Sequence, residues 1–447
     1  MKSFQKFLLV LCAGIVLTPV VSHAAIEILI NQPEDVRFPI AVVNLAKGQG
    51  YSESGGMLKD IAEVIRHDLD LSGYFFIISP SIFKDHSPAI DPSAIPWSAW
   101  EAIGARALVK GIAKTEGGRT VVELRLFDTA GHALQMGKQY TFDRNDWRII
   151  AHRFADEVLL ATTGIRGPFA TKIAFTMATK KANRVRGEKQ IYIMDADGHN
   201  PHRVTTDHNS YSLGAAWAPD GRHITYSSYV NGFPDIYMLD LKTGQRSRLT
   251  ANQSTNITPA FSPDGSLIAY SSGQGHDMEI YVMTNIGSDE HVLAPAFGID
   301  IAPSFSPDGH EIVFASERGG QLNLYRKSIH GDGAATRITF SGSHNDSPDW
   351  SADGTHIVFT RFAGGKYDVM TIYPDGGGLR QITTVGSNEH PRWAPDSRFI
   401  TYSSTMGNRT QVYMMRFDGA HKTPLTKGKD ASLPDWGPWP EDYWDAQ

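Results

Sequence analysis

One phrase recurs through the second half of the chain and restricts what it can fold into. WAPDG at 217–221 is echoed by FSPDG at 261–265, FSPDG at 305–309, WSADG at 350–354 and WAPDS at 393–397, and WGP at 436–438 is a degenerate sixth copy. Successive aromatic residues are 43 to 45 positions apart. A period of that length with four strand signals per unit is the signature of a β-propeller blade. The aromatic residue ends the first strand of each unit. Pro-Asp-Gly then makes a tight turn, because Pro presets φ and Gly accepts φ > 0. Second strands are expected at 224–227, 268–271, 312–315, 357–360 and 400–403. Third strands follow at 236–239, 280–283, 322–325, 369–372 and 412–415, apolar on both faces as suits strands between neighbouring sheets.

The count fixes how the array closes. Segment 173–206 supplies a second, third and fourth strand (173–176, 191–194, 202–205) with no first strand before it. Residues 433–436 supply a first strand with nothing of their own to join. The two fragments complete one blade, so six blades are expected, with the last strand of the chain closing the ring and leaving no unpaired edge.

Ahead of the array the chain mixes periods. Strands are expected at 26–30, 39–45, 74–79, 107–113, 120–127 and 138–142. Leu58, Ile61, Ala62, Ile65 and Leu69 recur at helical spacing, and Gly73 ends that helix. Residues 97–103 look helical, and Asn145 can cap a helix carrying Trp147, Ile150, Phe154, Val158 and Leu159. Helices are expected on one face of a mixed sheet. TGIRGP at 163–168 reads as a short hinge. The fold expected is therefore an α+β N-terminal domain over 25–165 followed by an all-β six-bladed propeller over 166–447.

The first residues read as an address. Lys2 and Lys6 precede or flank an apolar stretch over 7–21, and Ser22-His23-Ala24 places a cleavage site between Ala24 and Ala25. The apolar stretch is short for a span of ~20 residues. The single Cys12 would leave with this segment, so no disulfide and no cysteine-built metal site is expected. Loss of Lys2 and Lys6 takes the formal net charge from −6 to −8, which disfavours sequence-independent nucleic-acid binding.

Candidate chemistry is sparse. DADGH at 195–199 starts like a calcium loop but lacks the later ligands of an EF-hand, so a turn between strands is expected. His199, His202 and His208 are read as surface residues, with no His-Glu-x-x-His helix to recruit them. There is no Gly-x-Ser-x-Gly elbow, and Gly48-Gln49-Gly50 leads into Tyr51-Ser52 rather than a Lys-Ser/Thr pair. Trp439, Tyr443 and Trp444 form an aromatic tail expected to pack on the propeller. The loops entering each first strand converge at one end of the channel. There Ser212, Asn256, Asp300, Asn345, Asn388 and Ala431 share one repeat position, with Thr255, Asp346 and Glu389 beside them. One reading is a polar, partly acidic rim that receives a partner loop. The other is that Asn and Asp satisfy loop backbone and fix turns.

LSGYF at 71–75, WEAIGA at 100–105, TGIRGPF at 163–169 and KIAF at 172–175, together with the propeller phrases, resemble the TolB family, the periplasmic component of Tol-Pal systems. The resemblance covers essentially the whole chain. It implies a periplasmic adaptor without catalysis or cofactor, serving outer-membrane integrity, constriction at cell division and the import of colicins. Its implied partners are the lipoprotein Pal and the inner-membrane protein TolA, with other outer-membrane proteins beside them. Pal would sit at one mouth of the propeller, against Thr255, Asn256, Asp300, Asn345, Asp346, Asn388 and Glu389. TolA would bind the segment 25–36, where Ile26, Glu27, Ile28, Leu29 and Ile30 alternate as suits strand addition. A function of a different class stays open beside it: an exported propeller enzyme or glycan-binding module acting in the channel.

Overall fold

The first helix forms where the apolar spacing puts it. Leu58, Ile61, Ala62, Ile65 and Leu69 all lie on the buried side of α1 (Met57–Leu71). The computed structural model describes residues 37–440 apart from 53–54, 86, 143–145, 180–187, 208–209, 332 and 429. The leader with its Ala24–Ala25 junction, the expected strand 26–30, Asn145, His208, Tyr443 and Trp444 lie outside the described residues. Gly73 ends the turn after α1 with φ +73°, and a Cβ there would lie 2.9 Å from the Cβ of His421. Glycine is needed twice over: for the left-handed backbone and for the close approach of a propeller turn.

The first sheet contains β1 (Phe38–Val42), β2 (Ala46–Lys47), β3 (Phe75–Ile77), β4 (Ala107–Glu116), β5 (Arg119–Asp128) and β6 (Ala133–Phe142). Its order is β3-β1-β4-β5-β6, with β2 also on β4. β1 runs parallel to β3 and β4, while β4, β5 and β6 are antiparallel, so the sheet is mixed. α1 and α3 (Trp147–Thr163) bury Ile61, Ile65, Phe154 and Val158 against Ile40, Val42, Val109 and Leu126. The other face is not bare, as one-sided cover would have left it. Alternate strand residues Ala41, Leu108 and Phe127 pack there against Trp100 of α2 (Trp97–Glu101), with Phe83 and Ile95. A sheet whose two faces are both apolar needs cover on both.

Six four-stranded sheets follow. Blade 1 joins Ala431–Trp436 to Lys172–Thr179, Glu188–Asp195 and His202–Arg203. Blades 2 to 6 begin with Ser212–Trp217, Thr255–Phe261, Asp300–Phe305, Asn345–Trp350 and Ser387–Trp393. Every first strand thus ends on the repeat aromatic. The closing register pairs Ala431 with Met177 and Trp436 with Ile173. The turns after the aromatic residues nest on one another: a Cβ on Gly221, Gly265, Gly309 or Gly354 would touch Pro438, Pro219, Pro263 or Pro307 of the preceding blade at 3.3–3.6 Å.

The hinge expected at 163–168 is a fixed joint. Phe169 is fully buried, and the amides of Phe169 and Ala170 donate to the two carboxylate oxygens of Asp156 in α3 at 2.8 and 3.0 Å. One apolar core runs without a break from α1 and α3 through Phe169 into Phe175, Phe399, Ala431 and Trp436 of blades 1 and 6.

Candidate functional site

Strands alternate in direction, so the two faces of the propeller differ. The loops entering first strands and the hairpins between second and third strands emerge on one face. The Pro-Asp-Gly turns and the turns between third and fourth strands emerge on the other. The helices of the first sheet hold the second face. Arg148 of α3 pairs with Asp195 at 3.0 Å and also with Asp197 in the blade 1 turn, and the Arg416 guanidinium of blade 6 lies 4.4 Å over the Tyr74 ring. None of these contacts reaches the first face, which no described residue of the first sheet covers.

Each first strand lines the central channel and carries a bulge at one repeat position: Gly214, Thr258, Ala302, Ser347, His390 and Leu433 all have φ between +51° and +59°. The strand-pairing register shifts at or beside each of them. Five of the six are not glycine, so the backbone is held there by its surroundings. The freed amides reach the preceding blade. Gly214 donates to Thr176 Oγ1 at 3.3 Å, Ala302 to Ser271 Oγ at 3.1 Å, His390 to Thr360 Oγ1 at 3.1 Å and Leu433 to Ser403 Oγ at 2.9 Å. In blade 4 the matching second-strand residue is Ala315, and the Ser347 amide turns to its own neighbour, Asp346 Oδ1 at 2.5 Å.

The residues of the expected rim do not offer their amides to the mouth. Asn256, Asp300, Asn345 and Asn388 are all at most 1 % exposed, as are Ser212 and Ala431. Asn256 donates to Asn252 Oδ1 at 2.8 Å and accepts from Ser272 Oγ at 2.7 Å. Asn345 donates to the Ser341 carbonyl at 3.1 Å and accepts from Arg361 Nε at 2.8 Å. Asn388 donates to the Val385 carbonyl at 2.9 Å and accepts from Ser404 Oγ at 2.7 Å. Asp300 is paired with Arg318 Nη2 at 2.5 Å, which removes it as a free charge. These four shape the entry loops. Thr255, Asp346 and Glu389 beside them are half-buried, and of the three Asp346 lines the channel.

The channel is a cavity of about 510 Å³ lined by all six first strands, and it contains Asp346, Asp349, His390, Arg392 and Asp435. Asp349, Arg392 and Asp435 were not singled out from the sequence. They occupy the position just before the repeat aromatic, where the other blades carry Ala216, Ala260 and Ser304. Asp435 Oδ2 accepts from the Trp217 amide and Asp349 Oδ2 from the Trp393 amide, both at 2.8 Å, each reaching the next blade. Arg392 Nε lies 3.5 Å from Asp435 Oδ1. Burial pushes Asp435 up to about 7 against the pull of Arg392, and raises Asp346, Asp349 and Glu389 as well. Burial and then Arg392 push His390 down to about 4, so it is neutral at pH 7, and its Nδ1 has no hydrogen-bond partner. The arrangement suits a cationic or hydrogen-bond-donating guest; His390 is not part of a nucleophile–base relay.

The cavity is bounded at one end by Pro219, Pro263, Pro307, Pro395 and Pro438 of the turns after the repeat aromatics; on the opposite, entry-loop face large apolar side chains are exposed. Phe297, Phe340 and Val385 on the entry loops are 95, 75 and 70 % exposed, and Phe233 on a hairpin is 52 % exposed. Of the aromatic tail, Trp439 donates Nε1 to the Gly167 carbonyl at 3.1 Å and so packs on the joint.

Comparison with known proteins agrees with this architecture. A family model described as the TolB beta propeller domain matches residues 160–440, and one described as the TolB amino-terminal domain matches 26–134. The chain is 37% identical over 222 residues to the Tol-Pal system protein TolB of Syntrophotalea carbinolica, covering 49% of each. It is 34% identical over 229 residues to the protein of the same name from Paramagnetospirillum magneticum, covering 51% of this chain and 50% of that one. The chain spans about half the length of the curated relatives it matches. A crystal structure of TolB from Acinetobacter baumannii superposes with a TM-score of 0.78 at 28% identity, covering 90% of this chain and 97% of that one.

Proposed function

The chain belongs to the TolB family of the Tol-Pal system, and from that premise we propose that it is a non-catalytic periplasmic adaptor that binds Pal and TolA. In this reading it serves outer-membrane integrity and its constriction during cell division. Residues 25–165 and 166–447 act as its two parts after loss of 1–24. Pal is received at the open mouth of the propeller and TolA by the segment 25–36, through Ile26, Glu27, Ile28, Leu29 and Ile30.

The observation that supports Pal binding most strongly is the open face itself. Phe297, Phe340, Val385 and Phe233 are exposed on the entry-loop face, and the channel behind it sets three half-buried carboxylates, Asp346, Asp349 and Asp435, against the one guanidinium of Arg392 among the described residues. Apolar residues grouped at a mouth with a charged centre fit a protein partner with an apolar rim and a basic or amide-rich tip. Thr255, Asp346 and Glu389 are the side chains proposed to touch it. Asn256, Asp300, Asn345 and Asn388 hold the loops, so little ordering entropy is lost on binding.

The test is the affinity of Pal for the chain carrying Phe297→Ala with Phe340→Ala, beside Lys242→Ala in a turn on the opposite face. A loss of tenfold or more in the first and none in the second is expected. The reverse pattern would move the partner to the other face. Binding of envelope glycans in the channel with no capture of Pal would favour the glycan-binding alternative.

A further inference from the structure

We propose that His67, Asp197 and His199 bind a divalent transition cation of the zinc class across the seam between α1 and blade 1. His67 stands on α1; Asp197 and His199 stand on the turn between Glu188–Asp195 and His202–Arg203. One potential ligand atom from each residue lies within 4.8 Å of the other two. The two imidazole rings meet edge to face with centroids 5.6 Å apart, and His199 Nδ1 is 3.0 Å from Asp197 Oδ2.

The donor set selects the class of ion. Two imidazoles and one carboxylate suit zinc and its neighbours, whereas calcium and magnesium prefer oxygen throughout. Bonds of about 2.0–2.1 Å draw the donors of a tetrahedral ion to roughly 3.4 Å apart, so the ligands must close in slightly. The structure allows this. The Asp197 side chain is fully buried and fixed, while His67 is only partly buried and the His199 side chain is 58% exposed, which leaves both rings room to turn inward.

The surroundings also fit. Arg148 pairs with Asp197 Oδ2, the oxygen that also faces His199 Nδ1, so it fixes the carboxylate while an ion bound there must share that oxygen with the guanidinium, which lowers its affinity. Deeper in the seam, Asp68 and His152 are joined at 2.7 Å, and together with Asp197 they form a second group with ligand atoms within 4.8 Å. Asp68 Oδ1 and His152 Nε2 are buried and have no hydrogen-bond partner. These two unpaired polar atoms leave the deeper group with hydrogen-bonding capacity unspent beside Asp197. On the open side a cavity of about 230 Å³, lined by His67, Asp197, His199, Pro201, Leu425 and Lys427, leaves room for a water as fourth ligand. Bound there, the ion would tie α1 to blade 1 and stabilise the seam by linkage.

The experiment uses the untagged chain from Ala25 onwards, stripped of metal by a chelator and titrated with zinc chloride by calorimetry, with cobalt(II) absorption as a spectroscopic check. One equivalent binding at micromolar affinity, a cobalt spectrum of low coordination number and a raised Tm are expected. His67→Ala with His199→Ala should weaken binding tenfold or more, with His67→Gln and His199→Gln as gentler substitutes if the alanine variant is misfolded by circular dichroism. A control removes His310 and His330, whose rings lie 6.2 Å apart elsewhere on the propeller, and should leave binding intact. No saturable binding, or binding untouched by the His67 and His199 changes, or binding lost only in the His310 and His330 control, would each overturn the assignment.

Discussion

Ending the chain at Asp430 removes the strand Ala431–Trp436 that completes blade 1. The loss can be sized from what that strand touches. Trp436 is 7% exposed, and its Nε1 donates to Thr171 Oγ1 at 2.7 Å. The Leu433 amide reaches Ser403, and Asp435 accepts the Trp217 amide. Removing a core tryptophan costs about 3–5 kcal/mol. Stranding the Trp217 amide adds about 1–3 kcal/mol. Even the lower ends sum to roughly 4 kcal/mol, against a total stability of about 5–15 kcal/mol for a typical domain. The edge of Lys172–Thr179 would also lie open to another chain. Calorimetry and urea unfolding of 25–447 beside 25–430 should show a fall in Tm of about 10 °C or more, or loss of the cooperative transition. Trp436→Ala, which keeps the ladder, should fall between the two. A cooperative transition at an unchanged Tm for the truncated chain would refute the closure argument.

Other expectations follow from the same contacts. Asp435 is raised to about 7 in the folded chain, so its contribution to stability is full below its ordinary unfolded value near 3.8 and is lost as pH climbs toward 7. Asp435→Asn keeps an acceptor for the Trp217 amide and should gain stability relative to the parent as pH rises from about 4 to about 7, by at most about 1.4 kcal/mol per pH unit, and level off above that; a pH-independent difference in urea unfolding would contradict this. Thr360→Ala strands the His390 amide in the channel wall and should cost about 1–3 kcal/mol in the same assay. Deleting 25–36 should abolish TolA capture while leaving the Tm of the propeller in place; undiminished capture would remove that segment from the reading.

Much of the architecture was legible because it rests on local chemistry repeated six times. A Pro-Asp-Gly turn, an aromatic residue before it and apolar strands after it need no knowledge of distant neighbours, and the closing pair was forced by counting. What could not be read is what depends on the neighbour across a blade boundary. Asn256, Asn345 and Asn388 share a repeat position and a polar side chain, and nothing local distinguishes an amide turned outward from one consumed by Ser254, Ser341 or Val385 in its own loop. The channel carboxylates were hidden for the opposite reason. Asp349 and Asp435 hold a position that is Ala in two other blades, so they break the repeat rather than express it. The signal available was the offset: one residue before the aromatic, on a strand that faces the axis, any charged side chain must point at or beside the channel.

The joint between the first sheet and the propeller went unread for a related reason. Gly164, Gly167 and Pro168 have the composition of a hinge, and composition alone gives mobility. The fold overrules it with four side chains from three separate stretches. Asp156 holds the Phe169 and Ala170 amides, Trp436 holds Thr171, Trp439 holds the Gly167 carbonyl, and Phe169 lies 6.1 Å from Phe399 in the shared core. Two of those four side chains belong to the last strand of the ring and the residues after it. The contact that closes the propeller therefore also fixes the first sheet to it, and opening one would loosen the other.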